Sequence, residues 1–257
     1  MSDEITKIGI AGCTGRVGQL LIAELNSGAH EGLEFSGGLT NDIPSPAPDY
    51  FITSDINELL ERSDAIIDFT RPEATMLNAE ACATHKKPII IGTTGLDHDQ
   101  ESRLEGLSSY TPIVYTANMS IGVNLLLALV EQAAEKLSNE WDIDIFESHH
   151  KYKVDAPSGT ALALGKAAAQ GRGVNHDDVA SYDRTGAREQ GEIGYAVSRG
   201  GDVVGEHTVY FYSEGERLEL THKATNRALF ARGALHATRW ALSQKPGIYS
   251  MKDILGL

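Results

Sequence analysis

Seven residues, Gly12-Cys13-Thr14-Gly15-Arg16-Val17-Gly18, stand between a short apolar run, Lys7 to Ala11, and an amphipathic one carried by Val17, Leu20, Leu21, Ala23 and Leu25. Three glycines at three-residue spacing let a chain turn sharply out of a buried strand into a helix. They also let backbone N–H groups approach a pyrophosphate at the helix start, where the dipole favours negative charge. The spacing is G-x-x-G-x-x-G, a variant of the dinucleotide fingerprint, and by itself it also serves a tight strand-to-helix turn with no ligand. The surroundings favour the ligand. Leu33 to Leu39, Ala65 to Phe69, Pro88 to Ile91 and Ile113 to Tyr115 are further apolar runs of strand length, with helical patterns near Pro72 to His85 and Asp97 to Ser109 between them. That alternation predicts an α/β fold whose first part is a Rossmann-type, doubly wound parallel sheet.

After a long helical pattern, Gly122 to Leu137, the rhythm changes. A strand pattern at Trp141 to Ser148 and a helix at Thr160 to Gln170 precede three successive strand-like runs, Ile193 to Ser198, Val203 to Tyr212 and Arg217 to His222. Clustered strands after alternating units predict a second, α+β domain with a mainly open sheet. A chain of 257 residues accommodates two such domains. The last helix, Ala228 to Leu242, is expected to close back onto the first, giving residues 1–120 with 229–257 as the dinucleotide-binding domain and 121–228 as a second, substrate-binding domain.

The chemistry concentrates where the rhythm changes, in ESHHKYKVDAPSGTALALG from Glu147. Histidines exchange protons near neutral pH, and Lys151 and Lys153 can neutralise an anion. A Gly159-Thr160 step opening an apolar helix presents first-turn N–H groups to negative charge. The same residues suit a solvated basic loop, but the Pro157-Ser158-Gly159-Thr160 turn argues for an ordered one, and ordered loops carrying ionisable residues concentrate function. A zinc site at His149 and His150 is disfavoured, because adjacent residues of a strand face opposite sides and neither Cys13 nor Cys82 stands nearby in sequence.

Charge sharpens this reading. The net charge of −14 argues against nucleic-acid binding, which needs a basic face, and makes the local basic cluster the chain's own device for attracting an anion. No apolar run is long enough to cross a bilayer, the N-terminus lacks a secretory pattern, and two distant cysteines imply no disulfide framework. A cytoplasmic location is therefore expected.

Several motifs together resemble the 4-hydroxy-tetrahydrodipicolinate reductase family, also called dihydrodipicolinate reductase. They are the GxxGRxG turn, DFTRPEAT (Asp68 to Thr75), GTTG (Gly92 to Gly95), ANMSIGVN (Ala117 to Asn124), ESHHKYKVDAPSGTAL (Glu147 to Leu162), GDVVGEHTVYF (Gly201 to Phe211) and LTHKATNR (Leu220 to Arg227). The resemblance implies a homotetramer built through C-terminal sheets, which adds oligomerisation to the part expected of residues 121–228. It also implies hydride transfer from NADH or NADPH to a cyclic dicarboxylate in the diaminopimelate route of lysine biosynthesis. It makes His149 the proton donor and Lys153 the second catalytic residue, with His150, Gly159 and Thr160 as substrate contacts. Cofactor contacts are expected from Gly12, Cys13, Thr14, Gly15, Arg16 and Val17, from Gly92, Thr93 and Thr94, and from Thr116, Ala117, Asn118 and Met119. Thr40 and Asn41 stand where many members carry an acidic residue, and Asp42 comes one step later. An acid there usually holds the ribose hydroxyls, so the choice between NADH and NADPH stays open, with a tilt towards NADPH.

Two other readings remain at this stage. A different small-substrate reductase, such as an amino-acid or semialdehyde dehydrogenase, would share the glycine turn but not the His-His-x-x-Lys with its downstream PSGT. A nicotinamide-sensing regulator would keep the turn without needing an acid and a charge clamp.

Overall fold

The structure, a computed structural model, describes residues 5–257. It divides into two units, one running to Ser120 and resuming over Arg227–Gly256, the other spanning Ile121–Asn226 with Leu257.

The first unit begins β1 (Thr6–Ala11), α1 (Arg16–Asn26), β2 (Leu33–Leu39), β3 (Ile52–Thr53), α2 (Ile56–Arg62), β4 (Ala65–Asp68), α3 (Pro72–His85), β5 (Ile89–Ile91), α4 (His98–Leu107) and β6 (Pro112–Tyr115). The second contains α5 (Ile121–Lys136), β7 (Asp142–His149), α6 (Gly159–Gly171), α7 (His176–Val179), β8 (Ala180–Ser181), β9 (Ile193–Arg199), β10 (Gly205–Ser213) and β11 (Glu216–Ala224). The chain then completes the first unit with α8 (Ala228–Ala241), β12 (Gly247–Tyr249) and α9 (Met251–Leu255).

Seven strands of the first unit pair in the order β12-β6-β5-β4-β1-β2-β3, all parallel. Their apolar runs are continuous because both faces are covered. Ile8, Ile10, Ile67, Ile90 and Val114 face one core with α1, α8 and α9, while Ile66, Ile89, Ile91 and Ile113 face the other with α2, α3 and α4. Helix starts carry readable signals: Asp97 and Gln100 form a capping box on α4, and Pro72 opens α3.

The second unit is a five-stranded mixed sheet, β11-β10-β7-β9-β8, with β10 antiparallel to both β7 and β11 and β9 parallel to β7 and β8. Helices α5 and α6 cover one face, packing Leu126, Val130, Leu164 and Ala168 against Ile143, Ile145, Ile193, Val209 and Phe211. A Cβ at Gly171 would lie 2.2 Å from the Glu131 carbonyl, so glycine permits the close approach of these helices. The other face stays open, with Phe146 39% exposed in its middle.

The fold is the one expected. Six short elements go beyond the sequence reading: β3, α2, α7, β8 and the terminal pair β12–α9, in which β12 extends the parallel sheet beside β6.

Candidate active site

The strand order reverses between β1 and β4: β2 and β3 lie to one side and β5, β6 and β12 to the other. The carboxyl ends of such central strands form the ligand crevice of a doubly wound sheet. Gly12 leaves β1 with φ of 79°, and a Cβ there would lie 2.5 Å from the Phe69 carbonyl. A Cβ at Gly18 would meet the Gly12 carbonyl at 2.2 Å, so turn and helix close only with glycine at both places. Helix α1 starts after Gly15 with no side-chain cap and no acid in its first turn. Its first N–H groups are thus left to an anion, which fits the pyrophosphate of a dinucleotide.

The other sequence-predicted coenzyme residues divide by environment. Thr14, Arg16, Asn41, Thr94 and Ala117 are exposed, and the Thr14 and Thr40 hydroxyls meet at 3.2 Å at the end of β2. Cys13 and Met119 turn their side chains into the core, and burial pushes the Cys13 thiol above its ordinary value, so both offer backbone alone. Val17 packs partly buried against the same core. Gly92 has no room for a Cβ beside the Phe69 ring, which it would approach to 2.2 Å. Thr116 and Asn118 fold onto each other, with the Thr116 hydroxyl donating to the Asn118 carbonyl at 3.2 Å.

Thr93 has a task that the sequence did not suggest. Its hydroxyl donates to the buried Asp68 carboxylate at 2.9 Å, which also accepts from the Thr70 N–H and hydroxyl, the Thr75 hydroxyl and the Asn78 amide. A fully buried carboxylate needs such saturation. Here it ties the loop after β5 to the loop after β4, so the GTTG turn is held by an acid that the motif does not contain.

In the second unit, strand alternation puts Ile143, Ile145, Glu147 and His149 on the covered face of β7. The first two residues feed the core; the last two are polar and form the site. His149 Nδ1 lies 2.5 Å from Glu147 Oε2, and Arg199, at the end of β9, donates to both Glu147 oxygens at 2.8 Å. The Ser158 N–H donates to Glu147 Oε1 at 2.9 Å. Burial alone would raise the Glu147 carboxyl, but these hydrogen bonds from Arg199, His149 and Ser158 hold it below its ordinary value. Burial lowers His149, as do the positive charges of Lys153 and Arg199; the Glu147 carboxylate opposes them without reversing the result.

Ser158 caps α6 by accepting the Ala161 N–H, and its hydroxyl meets His207 Nε2 at 3.0 Å. His207 stands edge-on to His149, ring centroids 5.1 Å apart. Lys153 rests on Asp155, its ammonium 2.8 Å from each carboxylate oxygen, and its N–H closes a turn onto the His150 carbonyl. Nδ1 of His150 is buried without a hydrogen-bond partner, and a Cβ at Gly159 would meet open space. An unsatisfied imidazole nitrogen, a lysine beside an exposed carboxylate and the first turn of α6 thus occur along one loop with His149. Four participants were missed in the sequence: Glu147, Ser158, Arg199 and His207. Glu147 had a signal, two residues before His149 on a strand; His207 had none.

Comparison with known proteins gives a consistent result. Residues 6–119 match a family model described as "Dihydrodipicolinate reductase, N-terminus", and residues 122–255 match "Dihydrodipicolinate reductase, C-terminus". The chain is 48% identical over 258 residues to the 4-hydroxy-tetrahydrodipicolinate reductase of Zymomonas mobilis subsp. mobilis, covering 99% of each. It is 46% identical over 267 residues to that of Parvibaculum lavamentivorans, covering 98% of each. Among solved structures, a dipicolinate-bound dihydrodipicolinate reductase from Paenisporosarcina sp. TG-14 superposes with a TM-score of 0.81 at 21% identity, over 96% of this chain and 97% of that one. A probable dehydrogenase from Thermotoga maritima shares the fold more distantly, with a TM-score of 0.62 at 11% identity, over 96% and 92%.

Proposed function

This chain belongs to the dihydrodipicolinate reductase family, and from that membership we infer that it reduces 4-hydroxy-tetrahydrodipicolinate to 2,3,4,5-tetrahydrodipicolinate in the diaminopimelate route to lysine. NADH or NADPH, when bound, supplies the hydride. The residues suited to hold it are Gly12 to Val17, with Thr40 and Asn41, Gly92 to Thr94 and Thr116 to Met119. The uncapped start of α1 supports that assignment.

One observation carries the assignment of roles. His149 has one ring nitrogen engaged by a buried carboxylate, and a lysine and the first turn of a helix accompany it on the same loop. Loss of the 4-hydroxyl as water leaves a conjugated ring; hydride addition then moves an electron pair along it, and a proton must be delivered to complete the reduction. His149 is the acid suited to deliver it. Lys153 exchanges Asp155 for a substrate carboxylate and stabilises the developing charge. The α6 N–H groups at Gly159 and Thr160 and the unsatisfied Nδ1 of His150 take the remaining oxygens.

The test couples the purified protein to the synthase that makes the substrate and follows nicotinamide absorbance. Oxidation of at least one coenzyme is expected, and no oxidation of either sinks the function. His149→Gln should lower turnover by about a hundredfold or more, the scale of general acid catalysis, with coenzyme affinity kept. Lys153→Ala should lower turnover and raise KM together. Intact turnover in either variant overturns its role.

For assembly, the uncovered face of the five-stranded sheet supports a homotetramer. Phe146, Ala196, Thr208, Tyr210 and Tyr212 share that face by register, and the last two rings stack 5.4 Å apart.

A further inference from the structure

We propose that Glu147 is a positioning residue for the proton donor: held in place by Arg199, its carboxylate takes the Nδ1–H of His149, so that Nε2 is the nitrogen that takes up and gives away the transferable proton. The proposal rests on the proton-donor role of His149 given above.

Geometry carries it. Both Glu147 oxygens are fully engaged, Oε1 by Arg199 and the Ser158 N–H, Oε2 by Arg199 and His149. Glu147 has no exposed surface, so it cannot exchange these partners for water, and removing its charge would leave Arg199 without its ion pair. Arg199 pairs across the strands with His149 in the β7–β9 register and reaches back to Glu147. The same guanidinium donates to the Asp155 carbonyl at 2.7 Å and to the Ser198 carbonyl at 2.7 Å, fixing the end of β9 to the loop that bears Lys153. A carboxylate accepting from one imidazole nitrogen selects the tautomer and raises the basicity of the other.

Gly205 adds an independent constraint. A Cβ at that position would stand 2.9 Å from His149 Nε2, so glycine on β10 keeps the working nitrogen clear while Glu147 holds the opposite side of the ring. The groups facing His149 are Glu147 on its own strand, Arg199 from β9, His207 from β10 with His222 beyond it on β11, and Lys153 with Asp155 from the following loop. Of these, Glu147 is the anion whose charge and hydrogen bond directly support protonated His149.

The experiment is nitrogen-15 NMR of histidine-labelled protein, with the His149 signals identified by their loss in His149→Gln. At neutral pH the wild type should show the Nδ1–H tautomer. In Glu147→Gln the pKa of His149 should fall by one unit or more. The pH above which turnover declines should move down with it, while coenzyme affinity is unchanged. A carboxylate that merely braced Arg199 and Ser158 would lower thermal stability without moving either readout. An Nε2–H tautomer in the wild type overturns the proposal even if the variant fails to fold, and so does an unchanged His149 pKa in a folded variant. Full turnover in His149→Gln would instead overturn the proton-donor role while leaving the tautomer result standing.

Discussion

His207 shows how much one buried side chain contributes to the pH response of this site. Burial first, and then the charge of a protonated His149, push its pKa from 6.5 down to about 4, against the pull of Glu147. The sign follows from the order of protonation. As pH falls from 6.5, the unfolded chain takes up a proton at this residue before the folded chain does. Stability present above pH 6.5 is therefore lost progressively down to about pH 4 and changes no further from this group below that. At 1.36 kcal/mol per pKa unit, the separation amounts to about 3 kcal/mol. His207→Gln retains an acceptor for the Ser158 hydroxyl but cannot titrate. Its unfolding free energy, measured by denaturant titration between pH 6.5 and 4, should decline less steeply than that of the wild type, though His149 and His222, both lowered, still contribute. Equal slopes would show that His207 does not carry this dependence. None of this is readable in the sequence, where His207 is one residue in an apolar strand; its importance arises from register, which sets it opposite Glu147 on one side and His222 on the other.

Elements were legible where their pattern was long or punctuated. β7 and α6 are legible in the sequence to within one residue at either end, because alternation and helical periodicity are local properties. β12 and α9 are different. Three residues pair with β6 and five form a helix whose signal is a capping box at Ser250 and Asp253. Elements that short are stabilised by the sheet and core they join, not by their own periodicity. The Glu147–Arg199 pair lies beyond local reach for the same reason, since 52 residues separate partners that only the β7–β9 pairing brings together. The end of β2 gives a prediction at this scale. It ends at Leu39, and Thr40, the next residue, brings a hydroxyl against Thr14 where a ribose-binding carboxylate would repel a phosphate; Asp42 follows two residues later, and Arg16 is exposed at the start of α1. NADPH should be used at least as efficiently as NADH. Thr40→Asp should lower kcat/KM for NADPH by about tenfold or more while sparing NADH, a discrimination of roughly 1.4 kcal/mol. A wild type that strongly prefers NADH would refute the argument.

At the largest scale, the five-stranded sheet keeps one face that no helix of its own unit covers among the described residues. A mixed sheet buried on one side only is stable as a domain, but its open face is expected to read polar. Here Arg217, Glu219 and Lys223 line the edge strand β11, and Asp142, Asp144 and Glu206 also share this face on β7 and β10, while Phe146 stands beside Ala196 and Thr208, with the stacked pair Tyr210 and Tyr212 further along β10. An apolar, aromatic centre with a polar rim is the composition of a protein interface, and a cyclic or dihedral assembly would let one such patch meet its own copy. Asp144 lies on the same face but is already paired with Arg184 and Arg188, so its charge does not stand unopposed at the patch. Phe146→Asp would place a new, unpaired carboxylate at the centre of that surface, where burial against a second copy costs several kcal/mol. The isolated fold should tolerate it, because the side chain is 39% exposed and lies opposite the core formed with α5 and α6. Light scattering coupled to size exclusion is therefore expected to give a tetramer for the wild type and a smaller species for the variant, with an unchanged circular dichroism spectrum. A tetramer that survives Phe146→Asp would place the contact elsewhere, and a wild-type monomer would remove the need for one.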